Sequence, residues 1–427
     1  MKDKDIVLRS ISVEGKNSDI WITGDRIKEI VPAGQGFSGP VPTDAEAMDC
    51  KGKTAIPGFY NMHTHAAMSL MRGIQEDARD LQEWLDRVWA VESRIDADFI
   101  YWGTKVACLE MIRTGTTTFN DQYWFPESAH KAAVEMGIRP VISYVILDRN
   151  DPKEAARQRE QCKKRYEDSL KWKDNAIFEV AAHAIYTVSE EMFVWASEFA
   201  RKHSLHLHIH LSETEKEVED CKALHGGLSP VEYLDRLGVL GPNVIAAHTL
   251  WLSDNDVRLL GEHGVTCVHN INSNTKLASG YKFRYNELRD AGANVCLGTD
   301  GCASSNNLDM LEAMKTSAIV QKAWRSDTQA LPLGELFSLA TTNGAKALSL
   351  DGGAIAEGKL ADISIVDTDN TFFLSPGPFL ANLVYSAHSD CIDSVIAGGR
   401  FVMKNRVVEG EREILDNARE VLKEITL

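Results

Sequence analysis

Between residues 54 and 300 the chain carries eight short strand-like runs, and most of them end in a residue that can bind a metal or move a proton. The runs are 54–65 (TAIPGFYNMHTH), 116–121 (TTTFND), 138–147 (IRPVISYVIL), 176–183 (AIFEVAAH), 205–210 (LHLHIH), 244–248 (VIAAH), 265–270 (VTCVHN) and 294–300 (NVCLGTD). Helical patterns fall between them, as at 79–94, 189–203, 253–263 and 305–325; in the first, Leu81, Trp84, Leu85 and Val88 recur at helical spacing. Strands alternating with amphipathic helices argue for βαβ units on a parallel sheet. Eight such units are what a closed (β/α)8 TIM barrel requires.

The residues at the run ends are His65, Asp121, His183, His210, His248, His269 or Asn270, and Asp300. In a barrel of this kind the carboxyl ends of the strands form the mouth where chemistry occurs, so side chains distant in sequence converge there. A single histidine would be read as a hydrogen-bonded core residue. A random scatter of 13 histidines would not favour strand ends in this way.

The flanks have a different texture. Residues 1–53 read as short alternating strands with turns, and the chain returns to that pattern from Gly358 before a charged amphipathic helix at about 411–423. The two ends are expected to build one small domain together. With 62 acidic against 46 basic residues the formal charge is −16, which disfavours nucleic acid and anionic membrane surfaces as partners. No apolar run approaches the roughly 18 to 20 residues of a membrane span, and MKDKDIVLRSISVEG lacks the apolar core of a secretory signal. The eight cysteines include no C-x-x-C pair and read as reduced packing residues, so the expected setting is cytoplasmic.

His63 and His65 form an H-x-H pair whose side chains point to the same side of a strand, so both imidazoles can reach one ion. By the same rule His206, His208 and His210 share a face, but only His210 lies at a strand end; His206 and His208 read as packing residues or as support behind the ligands. Asp300 adds a carboxylate. Three imidazoles and a carboxylate leave an open position for water, the arrangement of a catalytic site. One divalent ion is expected, zinc by its donor preference, with iron(II) fitting the same set. Such an ion lowers the pKa of bound water from about 15.7 to about 7, which makes hydrolysis the expected reaction. The third and fourth runs contain no lysine to bridge a second metal. Glu213, three residues after His210, reads as the general acid/base, against the plainer alternative of a first-turn helix acid. His248 reads either as a fourth imidazole ligand or as a hydrogen-bonding partner of the water and the developing oxyanion, with the second role preferred.

These pieces resemble the amidohydrolase superfamily, in particular the branch of methylthioadenosine/S-adenosylhomocysteine deaminases, guanine deaminases and triazine hydrolases. The matching segments are PGFYNMHTHAAMSLMRG (57–73), HAIYT (183–187), HIHLSET (208–214), AAHT (246–249), NSNTKLASG (272–280), GTDGCASSNNLDM (298–310) and ATTNGAKALSLDGGAIAEGKLADISIVD (340–367). The resemblance implies an α/β fold with a catalytic barrel over 57–355. A small composite β-sandwich would form from 1–56 and 356–427, with the terminal helix in the second segment. It implies His63, His65, His210 and Asp300 as metal ligands, in agreement with the spacing, and the expected catalytic residues are Glu213, His248 and Asp300. Glu92 matches a glutamate that holds ribose hydroxyls, and His183 matches a histidine that contacts the heterocycle. Ile185 and Ile271 stand where proline is common. Tyr144 stands where members that accept S-adenosylhomocysteine commonly present an arginine, and Arg157 and Arg159 lie further on. The implied activity is metal-dependent hydrolytic deamination of an amino-substituted N-heterocycle, foremost an adenosine-type nucleoside, by a homo-oligomer. The alternatives on the same site are deamination of guanine or another base, and chloro- or aminohydrolysis of a triazine.

Overall fold

The computed structural model describes residues 4–424 apart from Gln75, Asp80 and Lys173. Five strands come first: β1 (Ile6–Val13), β2 (Lys16–Thr23), β3 (Arg26–Pro32), β4 (Glu46–Asp49) and β5 (Lys53–Pro57). Eight parallel strands follow: β6 (Phe59–Thr64), β7 (Thr116–Asp121), β8 (Arg139–Ile146), β9 (Ile177–Ala184), β10 (Leu207–Leu211), β11 (Val244–His248), β12 (Thr266–His269) and β13 (Asn294–Leu297). The last three are β14 (Ile363–Asp367), β15 (Ile392–Ala397) and β16 (Arg400–Met403).

Strands β6 to β13 lie side by side in sequence order with helices between them, the barrel architecture expected from the sequence. Strands such as β8 are buried along their whole length, which is why they read as apolar runs with little alternation. At the seam between the first and last strands, a side-chain bridge and one backbone bond stand in for the ladder. The Asn61 amide donates to Thr299 Oγ1 at 2.7 Å and accepts from Thr299 N at 3.0 Å, and Asp300 N donates to His63 O at 2.9 Å.

The run 54–65, expected as one strand, is two strands in two different sheets. It divides at Gly58, where an added Cβ would lie 2.3 Å from the Thr117 side chain. Only glycine allows the chain to cross between sheets so close to a neighbour. On one side β5 pairs antiparallel with β14; on the other β6 pairs parallel with β7. The terminal strands form one mixed sheet in the order β16-β15-β14-β5-β1-β2-β3, with β4 beside β1, so both chain ends contribute to it as expected. Leu8, Ile11, Ile20, Ile27, Ile363 and Ile396 are buried in its core. A buried ion pair between Arg139 at the start of β8 and Asp362 ties this sheet to the barrel at 3.2 Å.

Helices begin where a polar side chain satisfies their first N–H groups. Ser189 caps Glu190–Lys202 and Thr214 caps Glu215–Leu224, while Ser229 with Glu232 and Ser253 with Asp256 form capping boxes. The pattern at 305–325 resolves into two helices, Cys302–Ser305 and Met310–Arg325. Asn306 ends the first at φ +67°, and Asp309 caps the second. The terminal helix Glu411–Glu424 packs on Ala97–Arg113. All eight cysteines are free and buried, consistent with packing roles. Among the described residues no helix is long and apolar enough to cross a membrane.

Candidate metal centre

Five of the expected site residues meet at the carboxyl ends of the barrel strands. His63 lies on β6, His65 one residue beyond it, His210 on β10, and His248 at the end of β11. Strand β13 ends at Leu297, so Asp300 is carried by the turn that follows. His248 at φ +73° and Asp300 at φ +64° both hold the left-handed conformation that residues with a Cβ avoid, a strain that a packed functional site can sustain.

Asp300 Oδ1 lies 3.2 Å from His65 Nε2 and 3.4 Å from His63 Nε2, and His210 Nε2 lies 3.3 Å from His65 Nε2. Candidate donor atoms of His63, His65 and Asp300 fall within 4.8 Å of one another, as do those of His63, His210 and His248. The far nitrogens fix the tautomers. His65 Nδ1 donates to Gln122 O at 2.7 Å and His210 Nδ1 to His183 O at 2.9 Å, so the neutral form of each ring presents its Nε2 lone pair to the cluster. Against burial, Asp300 pulls the His65 pKa up to about 9, a proton that a bound cation would displace. His63 Nε2 is buried without a hydrogen-bond partner. Bare imidazole lone pairs converging on a carboxylate fit one divalent ion of the borderline class.

Burial holds the His63 and His210 imidazoles well below their ordinary pKa, so both are neutral. Burial opposes charge on Asp300 as well, but the close approach of the His63 and His65 imidazoles outweighs it and holds the carboxyl well below the usual range. Its second oxygen accepts from Ser273 Oγ at 2.5 Å and Ser304 Oγ at 3.0 Å.

Glu213 is buried, with Oε2 3.6 Å from His248 Nε2 and Oε1 accepting from Ser279 Oγ at 3.4 Å. Burial pushes its carboxyl up to about 8, and the charge of Asp300 adds to the effect. Asn274 Nδ2 lies 3.0 Å from His248 Nδ1. With the amide donating, the imidazole proton sits on Nε2 and faces Glu213, the arrangement of a hydrogen-bond donor.

Above the cluster is a cavity lined among others by Trp84, Trp89, Glu92, Tyr123, His183 and Tyr186. Glu92 ends the helix Leu81–Glu92; burial raises its carboxyl pKa, opposed by hydrogen bonds from Tyr123 and Trp124. His183 Nδ1 bonds Thr187 Oγ1 at 2.8 Å, and burial drives its pKa to about 3, so the ring is neutral. Tyr144 donates to Gln161 and lines an adjoining cleft with Glu92, Arg149 and Arg157. Arg157 thus adjoins the site while bonded to Glu154, whereas Arg159 is bonded to Glu191 and lines neither cavity.

Two strand-end residues stand outside the cluster: His269 is stacked on Phe283, and Asp121 accepts Ala66 N at 2.7 Å, bracing the turn after His65. Three residues support the site from behind: His208, expected in packing or such support, and Glu217 and Glu179, which sequence reasoning missed. Glu217 accepts the backbone N–H groups of Ser212 and Glu213. His208 bonds His63, and Glu179 bonds His208. Glu179 had left a signal: it is the one charge inside the apolar run AIFEVAAH.

Residues 54–402 match the amidohydrolase family. The chain is 46% identical to a 5′-deoxyadenosine deaminase of Methanoregula boonei, over 87% of its own length and 84% of the relative's. It is 40% identical to 5-methylthioadenosine/S-adenosylhomocysteine deaminase 1 of Archaeoglobus fulgidus, over 99% and 96%. Among solved structures, an adenosine deaminase from Xanthomonas campestris with bound zinc superposes with a TM-score of 0.91 at 29% identity, covering 99% of this chain and 98% of that one.

Proposed function

The chain belongs to the amidohydrolase family, and on that footing we propose that it is a zinc-dependent hydrolytic deaminase of adenosine-type nucleosides, converting the amino-purine and water to the oxo-purine and ammonia. The observation that carries the reading is the Glu213–His248 pair, 3.6 Å apart at the rim of the imidazole–carboxylate cluster and open to the cavity that Glu92 and His183 line. The relatives named for adenosine-type substrates support it.

His63, His65, His210 and Asp300 would hold the ion. When bound, it supplies a water acidified to a pKa of about 7. Glu213 takes the proton from the attacking water and passes it to the ring nitrogen next to the amine-bearing carbon. A buried carboxyl with a pKa near neutrality can move a proton in either direction. His248 hydrogen-bonds the oxygen as charge develops on it. Asp300 accepts the second water proton and delivers it to departing ammonia. Neutral His183 bonds the heterocycle, and Glu92 accepts the ribose hydroxyls.

The test is ammonia release by zinc-loaded protein from adenosine, 5′-deoxyadenosine, methylthioadenosine, S-adenosylhomocysteine, guanine, cytosine and aminotriazines. Turnover of adenine nucleosides is the expected result. Turnover confined to guanine or to triazines would overturn the nucleoside assignment while leaving the metal chemistry.

A further inference from the structure

Three imidazoles face the candidate ion position, and their far nitrogens do not end alike. Those of His65 and His210 stop at backbone carbonyls. That of His63 does not: His63 Nδ1 lies 3.0 Å from His208 Nε2, and His208 Nδ1 lies 2.8 Å from Glu179 Oε1. All three side chains are fully buried. The carboxylate is held in turn by Ser143 Oγ at 2.6 Å and Asn120 Nδ2 at 3.3 Å.

Resting on the reading of His63 as a metal ligand, we infer that Glu179 is a positioning residue that acts on the ion through His208 and His63. With both rings neutral and an ion on His63 Nε2, the chain of bonds runs in one direction. An ionised carboxylate can only accept, so His208 carries its proton on Nδ1 and leaves Nε2 bare. That bare nitrogen accepts a hydrogen bond from His63 Nδ1–H, which leaves His63 Nε2 bare toward Asp300 and His65. Three donors, His208 Nδ1, Ser143 Oγ and Asn120 Nδ2, converge on the Glu179 carboxylate and favour its ionised form. A negative charge at the end of such a chain makes the His63 lone pair a stronger donor, and in a buried setting the effect is only weakly screened. One ligand of the three is therefore tuned by charge, and the other two by neutral carbonyls.

The experiment compares zinc dissociation constants of the parent chain and E179Q by competition with a chelator. The substitution keeps the shape and removes the charge. E179Q is expected to bind zinc about ten- to a hundredfold more weakly, and an unchanged constant would overturn the relay. Should E179Q fail to fold, imidazole ¹H–¹⁵N NMR of the zinc-loaded parent decides: the relay requires protons on Nδ1 of both His63 and His208, and a proton on Nε2 of either overturns it. A parent chain that binds zinc and releases ammonia while E179Q keeps its zinc affinity removes only the relay. A parent chain that binds no zinc removes the functional reading as well.

Discussion

The carboxylate of Glu217 accepts the backbone N–H of Glu213 at 2.7 Å, and its second oxygen accepts Ser212 N at 2.8 Å. Ser212 holds φ +53°, so the chain turns sharply before the proposed acid/base, and Glu217 clamps that turn from the first turn of the following helix. Glu217→Ala removes the clamp and leaves two buried N–H groups unpaired, which costs about 1 to 3 kcal/mol for each. The expected result is a lower unfolding midpoint together with a fall in kcat larger than any change in KM.

Burial pushes the Glu217 carboxyl up to about 7 from 4.5. The folded chain then holds this proton more tightly than the unfolded chain does. Its contribution to stability is full below pH about 4.5 and is lost as the pH rises through about 7, a loss on the order of 3 kcal/mol. Urea unfolding of the parent chain and Glu217→Gln across this range measures it: the difference in stability between the two should change between pH 4.5 and 7 and stay level above 8.

Glu213→Gln keeps the side-chain volume and removes the proton carrier. General acid–base catalysis contributes about 10² to 10⁴ in rate, so kcat should fall by that factor with zinc content unchanged. Retention of most of the parent kcat would take Glu213 out of the mechanism.

Glu92 approaches the cavity from the end of its helix beside Tyr123 and Trp124. Steady-state kinetics of Glu92→Ala should show KM for nucleosides raised about tenfold or more, the loss of a hydrogen bond to a charged group being worth about 1.5 to 3 kcal/mol. Turnover of a free base, where any occurs, should hardly change.

Removal of the ion by a chelator should abolish ammonia release and lower the melting temperature, because a ligand bound only by the folded state stabilises it. Added zinc should restore both in the parent chain and neither in His210→Ala, as read by metal analysis and thermal melts.

Much of the barrel was legible because its signals are local. The runs 116–121 and 244–248 coincide with β7 and β11, and a strand period of two was enough to place His63 and His65 on one face. The residues behind the site were less legible because their roles depend on neighbours far away in the chain. Glu179 matters through His208, 29 residues on, and His208 through His63, 145 residues back. The division of 54–65 between two sheets depends on contact with Thr117, which no pattern within the run expresses.

The seam between β6 and β13 joins Asn61 to Thr299, 238 residues apart in the chain. The proposed ligands straddle that join, with His63 and His65 on one side and Asp300 on the other. An ion shared among them would therefore act as a clasp, linking the first and last staves of the barrel by bonds stronger than the amide contacts beneath it. Occupancy of the site and integrity of the ring then become one property: a barrel that has lost its ion should begin to unzip at this join, and a chain truncated before Asp300 should fail to close.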